Sequence, residues 1–316
     1  MIASHICKDL YEWILSCEKQ GTIHSIFNNS INIIRGDRFI SVVAPNKPIS
    51  PNGIKIKDDM VFDDKNISIG ETGVFTGNSF VATSFKIDYG DCVLWDKNIN
   101  TQYEKDNLEK VLHKIHVLGG FILQHGNKNG IFNLLPLIME EFGFENNIFN
   151  IKHILDKKEL FIIDRLLQFV DSFKNSKLEA ININAKKIIG FGSGLTPSID
   201  DFLSGMMIAN IYISHYLGMN IENAYRINSD IVKDIENKTT RVSEEMLKFS
   251  SLGQTNEHTR NLMIGLLSKM GEEKVHELFM SVASLGDSSG TDILSGVYIG
   301  SLILLNKIRG EMHGCS

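Results

Sequence analysis

Hydrophobic positions follow two different periods along this chain. After an amphipathic run that predicts an opening helix over about 4–19, the stretch from Thr22 to Trp95 carries short apolar, β-branched or aromatic runs (TIHSIF, INII, FISVVA, GIKI, VFTG, SFVAT, CVLW) separated by turn residues. Pro45, Pro48 and Pro51, with four glycines between Gly53 and Gly77, punctuate it. This pattern predicts a small antiparallel sheet or barrel. From Tyr103 onward the period turns helical, predicting helices over about 104–124, 131–142, 156–174, 199–218, 221–238, 240–251, 258–270, 272–284 and 291–308. The expected architecture is therefore α+β: a β-rich N-terminal domain with an opening helix over 1–100, then a larger all-helical domain over 101–316.

Composition narrows the class. The 316 residues are 43% hydrophobic and 22% charged, with a formal net charge of −6, which excludes a disordered tail, a collagenous rod and a disulfide-stapled mini-protein. A chain this long buries about three quarters of its unfolded surface, so its core needs neither metal nor disulfide. A pI near 5.9 argues against a surface that holds nucleic acid by counterion release. Cys7, Cys17, Cys92 and Cys315 show no CxxC spacing and read as reduced thiols of a cytoplasmic protein. Phe202 to Ile221 runs without a formal charge for about the length a bilayer needs, but it contains Ser204, Asn210, Ser214, His215 and Asn220. That polarity fits a helix buried in protein better than one facing lipid, so no membrane partner is expected.

Three segments carry candidate chemistry. In IIGFGSGLTPSIDDFLSG (188–205), Gly190, Gly192 and Gly194 allow positive φ and close approach of a ligand. Thr196 followed by Pro197 matches an N-cap with proline at the first helical position. Free amides at such a helix start favour an anion. The segment is neither a dinucleotide fingerprint nor a P-loop, and a lone GxGxG is more often just a tight turn. Asp200 and Asp201 either hold a hard cation such as Mg²⁺ or brace the loop amides, and a carboxylate pair alone does not decide between these.

In LGDSSGTDILSGVYIG (285–300), Gly286, Ser288, Ser289, Gly290 and Thr291 build a second polar loop before an apolar helix. DFLSG (201–205) and DILSG (292–296) match in four of five positions, and in each the Asp and the Ser share a helix face. Gly205 and Gly296 would let the two helices approach closely. The expectation is that both helix starts converge on one polar pocket; simple helix packing by Ser-Gly pairs explains the pattern equally well. The third segment, TTRVS (239–243), offers Arg241 as a fork for a carboxylate or phosphate, against the commoner reading of an exposed arginine. His24, within TIHSIF, either points into a pocket or sits in the sheet wall. No HExxH, nucleophile elbow or Ser/His/Asp order is present, so a covalent mechanism has no support.

The order GxGxGLTPxxDDFLxG, TTxxS, GxSSGxDxLxG, preceded by a β-rich part with an xHSxF run, resembles the bacterial AllH family of oxamate carbamoyltransferase subunits over about 20–305. The chain departs from the family pattern at Ile199, where glycine is usual, and at Asp287, where histidine is usual. The resemblance implies a carbamoyl transfer in purine or allantoin breakdown, oxalurate plus phosphate giving oxamate plus carbamoyl phosphate, alongside partner subunits. Residues and resemblance together nominate Asp200, Asp201 and Asp292 as catalytic candidates. The anion-binding set is Gly192, Gly194, Thr196, Arg241, Ser288, Ser289, Gly290, Ser295 and His24, with the metal left open between Mg²⁺ and none. The alternative is a non-catalytic anion-binding or assembly subunit.

Overall fold

The computed structural model describes residues 1–16, 19–36, 38–59, 61–62, 66–144 and 154–314, the last six of these by backbone alone. Cys17 and Cys315 lie outside the described residues. The chain divides into two compact units, one of residues 1–98 with 255–257, the other of 99–254 with 258–316.

The first unit is one nine-stranded sheet that curls into a half-barrel. Its strands are β1 (Ala3–Cys7), β2 (Lys19–Phe27), β3 (Ser30–Arg35), β4 (Arg38–Val43), β5 (Gly53–Ile56), β6 (Thr72–Phe75), β7 (Ser79–Ala82), β8 (Lys86–Asp88) and β9 (Val93–Trp95), with α1 (Lys8–Leu15) after β1. The spatial order is β8-β7-β6-β2-β3-β4-β5-β1-β9. Most neighbours are antiparallel, as the short hairpin spacing predicts, but β4 with β5 and β1 with β9 run parallel. The proline-rich stretch 44–52 makes the first crossover. The amphipathic opening divides into a strand and a helix rather than one helix over 4–19. Ala3, Ile6 and Cys7 are buried, and the backbone there is claimed by β5 on one side and β9 on the other.

The second unit is helical: α2 (Leu108–His125), α3 (Leu135–Glu141) led by a 3₁₀ turn (Phe132–Leu134), α4 (Lys157–Lys174), α5 (Leu178–Ile188), α6 (Ser198–Leu217), α7 (Ile221–Ile231), α8 (Arg241–Ser251), α9 (Glu257–Leu267), α10 (Glu272–Ala283) and α11 (Ser289–Gly314). The sequence pattern missed α5, whose LEAININAKKI buries only Ile181, Ala185 and Ile188. It also ran α7 too far, to 238. Asp234 and Asn237 adopt positive φ, which stops the helix. The longest uncharged stretch lies mostly in α6, which is buried along Ser198–Ser214. Ser289–Ile308 of α11 has the length and hydropathy to cross a membrane, and 83% of its most apolar window is buried inside the fold. These two core helices pack against each other and position the site.

Candidate functional site

The α6–α11 crossing is closer than side chains would permit. A Cβ on Gly205 would lie 2.2 Å from the Ile293 carbonyl oxygen, and one on Gly296 would lie 2.0 Å from that of Phe202. Glycine at both positions lets the backbones touch. The same crossing brings the two helix starts together, so that Thr196 Oγ1 and Ser289 Oγ are 3.1 Å apart. The loops 190–198 and 285–291 thus share one site.

The glycine loop before α6 is fixed by Asp200. Its Oδ1 accepts from the Gly190 amide at 2.8 Å, and its Oδ2 accepts from the hydroxyls of Ser243 (2.6 Å) and Thr239. Thr240 caps α8 through the Ser243 amide and donates to the Leu195 carbonyl. The TTRVS segment therefore docks onto the glycine loop, with Asp200 as the rivet between them. Gly190, Gly192 and Gly194 take φ of 83°, 130° and 96°, which side chains rarely adopt. A Cβ on Gly192 would also lie 2.4 Å from the Ser198 nitrogen. One local expectation is corrected: Pro197, not Thr196, sits at the N-cap, with ψ of 145°. The Thr196 hydroxyl donates instead to Asp201 Oδ2 at 2.9 Å. Among the described residues, no hydrogen bond engages the exposed amides of Gly192, Ser193 or Gly194.

A third loop, 126–131, completes the site. Asn127 donates its amide to Thr291 Oγ1 (2.9 Å) and its side chain to the Asp287 carbonyl and carboxylate (both 3.1 Å). Asp292 Oδ1 accepts from the Ile131 amide at 2.8 Å. A Cβ on Gly130 would meet both Asp292 oxygens at 2.5 and 2.6 Å, so only glycine lets this loop lie over the carboxyl.

These loops and the start of α4 enclose a cavity of about 630 Å³, lined among others by Lys128, Gly130, Lys158, Gly192, Ser193, Ser198 and Ser288. Three acids also line it, but each is engaged by the fold. Asp156 and Glu159 form the capping box of α4, Glu159 also accepts from Asn133, and Asp287 holds Asn127.

Burial dominates the electrostatics. Asp200 and Asp292 are fully buried and Asp201 nearly so. Desolvation pushes the Asp292 carboxyl up to about 7, and the Ile131 amide with the Ser198 and Ser288 hydroxyls offsets part of that cost. Desolvation likewise raises Asp201 well above the carboxylate range, against hydroxyls of Ser289 and Thr196 and with added repulsion from Asp292 and Asp200. Asp200 is raised by burial too, and its three donors work against the shift. Among the described residues no group of three or more His, Cys, Asp or Glu is spaced to hold a metal ion. Asp200 acts as a brace.

Two family models match the chain: the oxamate carbamoyltransferase subunit AllH over residues 188–301, and the AllH family N-terminal domain over 2–94. Together they cover most of it. The chain belongs to the AllH family. No solved structure matches it. The match in the helical unit begins at the first glycine loop and includes the second, so both of these cavity walls lie inside it, whereas the wall from 126–134 and the start of α4 lies outside it.

The nominated residues divide in this AllH-family fold. Gly192 and Ser288 line the cavity, Asp292 lies directly beneath Gly130, and Thr196, Ser289 and Asp201 form a hydroxyl-carboxyl cluster beside it. Gly290 serves packing, since a Cβ there would lie 2.2 Å from the Val282 carbonyl oxygen. Ser295 donates back to the Thr291 carbonyl within its helix, and Gly194 is exposed at the loop tip. Arg241 pairs with Glu245 (3.1 Å) and Glu244 (3.8 Å) on its own helix. His24 is exposed on β2 of the sheet unit, its ring 5.7 Å from Phe39. Sequence reasoning missed Asn127, Lys128, Gly130 and Lys158. The signals were present: GNKNG (126–130) is a third glycine loop before a helical turn, and DKKE (156–159) is a capping box.

Proposed function

We propose that this AllH-family chain binds the anions of a carbamoyl transfer in the cavity between its glycine loops. In the reaction, oxalurate and phosphate give oxamate and carbamoyl phosphate, and the chain works within an assembly of partner subunits. A phosphate oxygen attacks the carbamoyl carbon, the bond from that carbon to the oxamate nitrogen breaks, and the nitrogen leaves with a proton. Phosphate is itself the nucleophile, so the protein has to hold two anions together, orient them and stabilise the developing oxyanion. The observation that carries this reading is the convergence of the two family loops on one cavity whose exposed Gly192 and Ser193 amides meet no acceptor among the described residues. Lys128 and Lys158 add positive charge, and Ser198 and Ser288 add hydroxyls. The volume lies within the usual range for small-molecule sites, about 300–1,000 Å³.

Calorimetric titration of phosphate, oxamate and carbamoyl phosphate tests the proposal, on the chain alone and with its partner subunits. Saturable binding that weakens at least about tenfold in Lys128→Ala/Lys158→Ala, and in Gly194→Val, is the expected result. If none of the three ligands binds either preparation, the transfer reading is wrong and an assembly role remains.

A further inference from the structure

The buried carboxyl beneath the cavity floor has one oxygen without a partner. Asp292 Oδ1 accepts from the Ile131 amide, whereas Oδ2 is buried and, among the described residues, meets no donor at hydrogen-bond geometry, with the Ser198 and Ser288 hydroxyls near the carboxyl. An ionised carboxylate in that position is only partly satisfied, which is costly in an apolar interior. The Ser198 and Ser288 hydroxyls face this carboxyl, and both residues also line the cavity. Each hydroxyl has a single proton to donate.

We propose that Asp292 is a positioning residue whose protonation is coupled to anion binding, so that the site takes up one proton as it takes up an anion. The inference rests on the anion-binding reading above. Because Oδ1 is occupied as an acceptor, the proton resides on Oδ2. It donates to a serine oxygen, freeing that serine's own proton to point into the cavity at the anion. When Asp292 is ionised the polarity reverses: the serine proton turns inward to Oδ2, and lone pairs face the cavity. An anion then meets oxygen lone pairs and a nearby carboxylate instead of a donor. The burial that lifts this carboxyl toward neutrality puts the exchange within the working range of pH.

Other charged groups surround it. Asp201 and Asp200 approach from α6, Asp287 lies in the turn before α11, and Lys128 lies on the loop above. Asp156, Lys158 and Glu159 stand at the start of α4. Of these, Asp200, Asp156, Glu159 and Asp287 have their carboxylates committed to loop, cap or amide donors. Asp201 shares the burial and is itself raised, so it is the group to separate from Asp292 by mutation.

The probe is sulfate, which stays fully ionised over pH 6–8.5, where phosphate itself titrates. Calorimetry in buffers of different ionisation enthalpy reads the protons taken up per sulfate bound. For the wild-type chain the expected uptake rises toward one above neutrality, with affinity falling up to about tenfold per pH unit there. Asp292→Asn imitates the protonated form and should bind sulfate with little pH dependence and no uptake, whereas Asp201→Asn should retain the uptake. Should Asp292→Asn fail to fold, Ser198→Ala/Ser288→Ala carries the test, since removing the hydroxyls should weaken binding at pH 6 and flatten the pH profile. Sulfate binding with no proton uptake by the wild type, or with uptake unchanged in Asp292→Asn, would overturn this inference and leave the proposed function standing. Failure of sulfate to bind at any pH would overturn this inference, while the proposed function stands or falls on the phosphate, oxamate and carbamoyl phosphate titrations.

Discussion

The two copies of D-x-L-S-G, at 201–205 and 292–296, have nearly the same letters and different surroundings. Their glycines do the same job reciprocally: each backbone lies against the other helix at a distance no Cβ tolerates. The residues preceding each Asp are also equivalent in role. Asp200 accepts the amide of Gly190 in the loop before its own helix, and Thr291 accepts the amide of Asn127 in the 126–131 loop, so each helix start clamps one wall of the site. The aspartates diverge. Asp201 is met by the Thr196 and Ser289 hydroxyls, while Asp292 lies under the cavity against Ser198 and Ser288, which line it. What the copies share is thus a packing device, and what differs between them is the chemistry.

The strongest way to break this comparison is to fill the crossing. Gly296→Ala and Gly205→Ala each place a methyl into opposing backbone, which cannot move aside as a side-chain tip would. Each should destabilise the helical unit by at least about 3 kcal/mol, the upper end of the usual overpacking cost. Urea unfolding checks this. A loss under about 0.5 kcal/mol in either variant would show that the helices separate easily and that the crossing does not define the site.

The divergent aspartates sharpen the comparison next. The folded-state carboxyl of Asp292 titrates near 7 against an ordinary value of 3.8, so between those pH values the native state holds a proton that the unfolded chain has released. Stability contributed by this group is therefore present at low pH and lost as pH rises from about 4 to about 7. Asp292→Asn removes the loss. The variant should match the parent at pH 4.5 and exceed it by on the order of 3 kcal/mol at pH 8, as read by urea unfolding at the two pH values. A difference between variant and parent that does not change with pH would refute the raised titration.

At the clamps, Asp200→Asn keeps the shape but turns one acceptor into a donor facing hydroxyls or an amide. A cost of about 2 kcal/mol follows from the loss of charge-assisted bonds, together with loosening of the glycine loop visible as faster amide exchange at Phe191 and Ile199. Thr291→Val should cost only about 1 kcal/mol, since it removes a single neutral bond. Equal costs would mean that Asp200 does no more than its counterpart.

Much of this was legible in the sequence. The change of hydrophobic period marks the passage from sheet to helices, and the repeated D-x-L-S-G with its flanking glycines marks the paired helix starts, because these depend on local spacing and backbone freedom. Some of the missing parts depend on partners far along the chain. Parallel pairing of β1 with β9 joins residues nearly ninety apart, and α5 shows only three buried positions to reveal it. Arg241 offers a ligand fork in the sequence, yet Glu244 and Glu245 stand at the helical i,i+3 and i,i+4 spacing that pairs opposite charges, and both take its charge. Lys128 and Lys158 lie about thirty residues apart in the sequence, and only the fold brings the 126–131 loop and α4 to the same cavity.

The serines give the smallest and cleanest contrast. Ser295 spends its hydroxyl on the Thr291 carbonyl one turn back in its own helix, which already has its place in the helix ladder, so the bond adds little. Ser204 instead reaches Ser250 on α8 at 2.7 Å. Because Ser250 donates its own proton to the Met246 carbonyl, the proton between the two must come from Ser204, and this bond ties α6 to α8 beneath the glycine loop. Ser204→Ala should therefore cost about 1 kcal/mol, the net worth of a buried neutral hydrogen bond, and Ser295→Ala less than about 0.5 kcal/mol. A double-mutant cycle of Ser204→Ala with Ser250→Ala should show a coupling of at least about 0.5 kcal/mol, whereas Ser295→Ala with Ser250→Ala should show none. Coupling in the second cycle, or its absence in the first, would mean that the two serines are interchangeable and that the copies differ only at their aspartates.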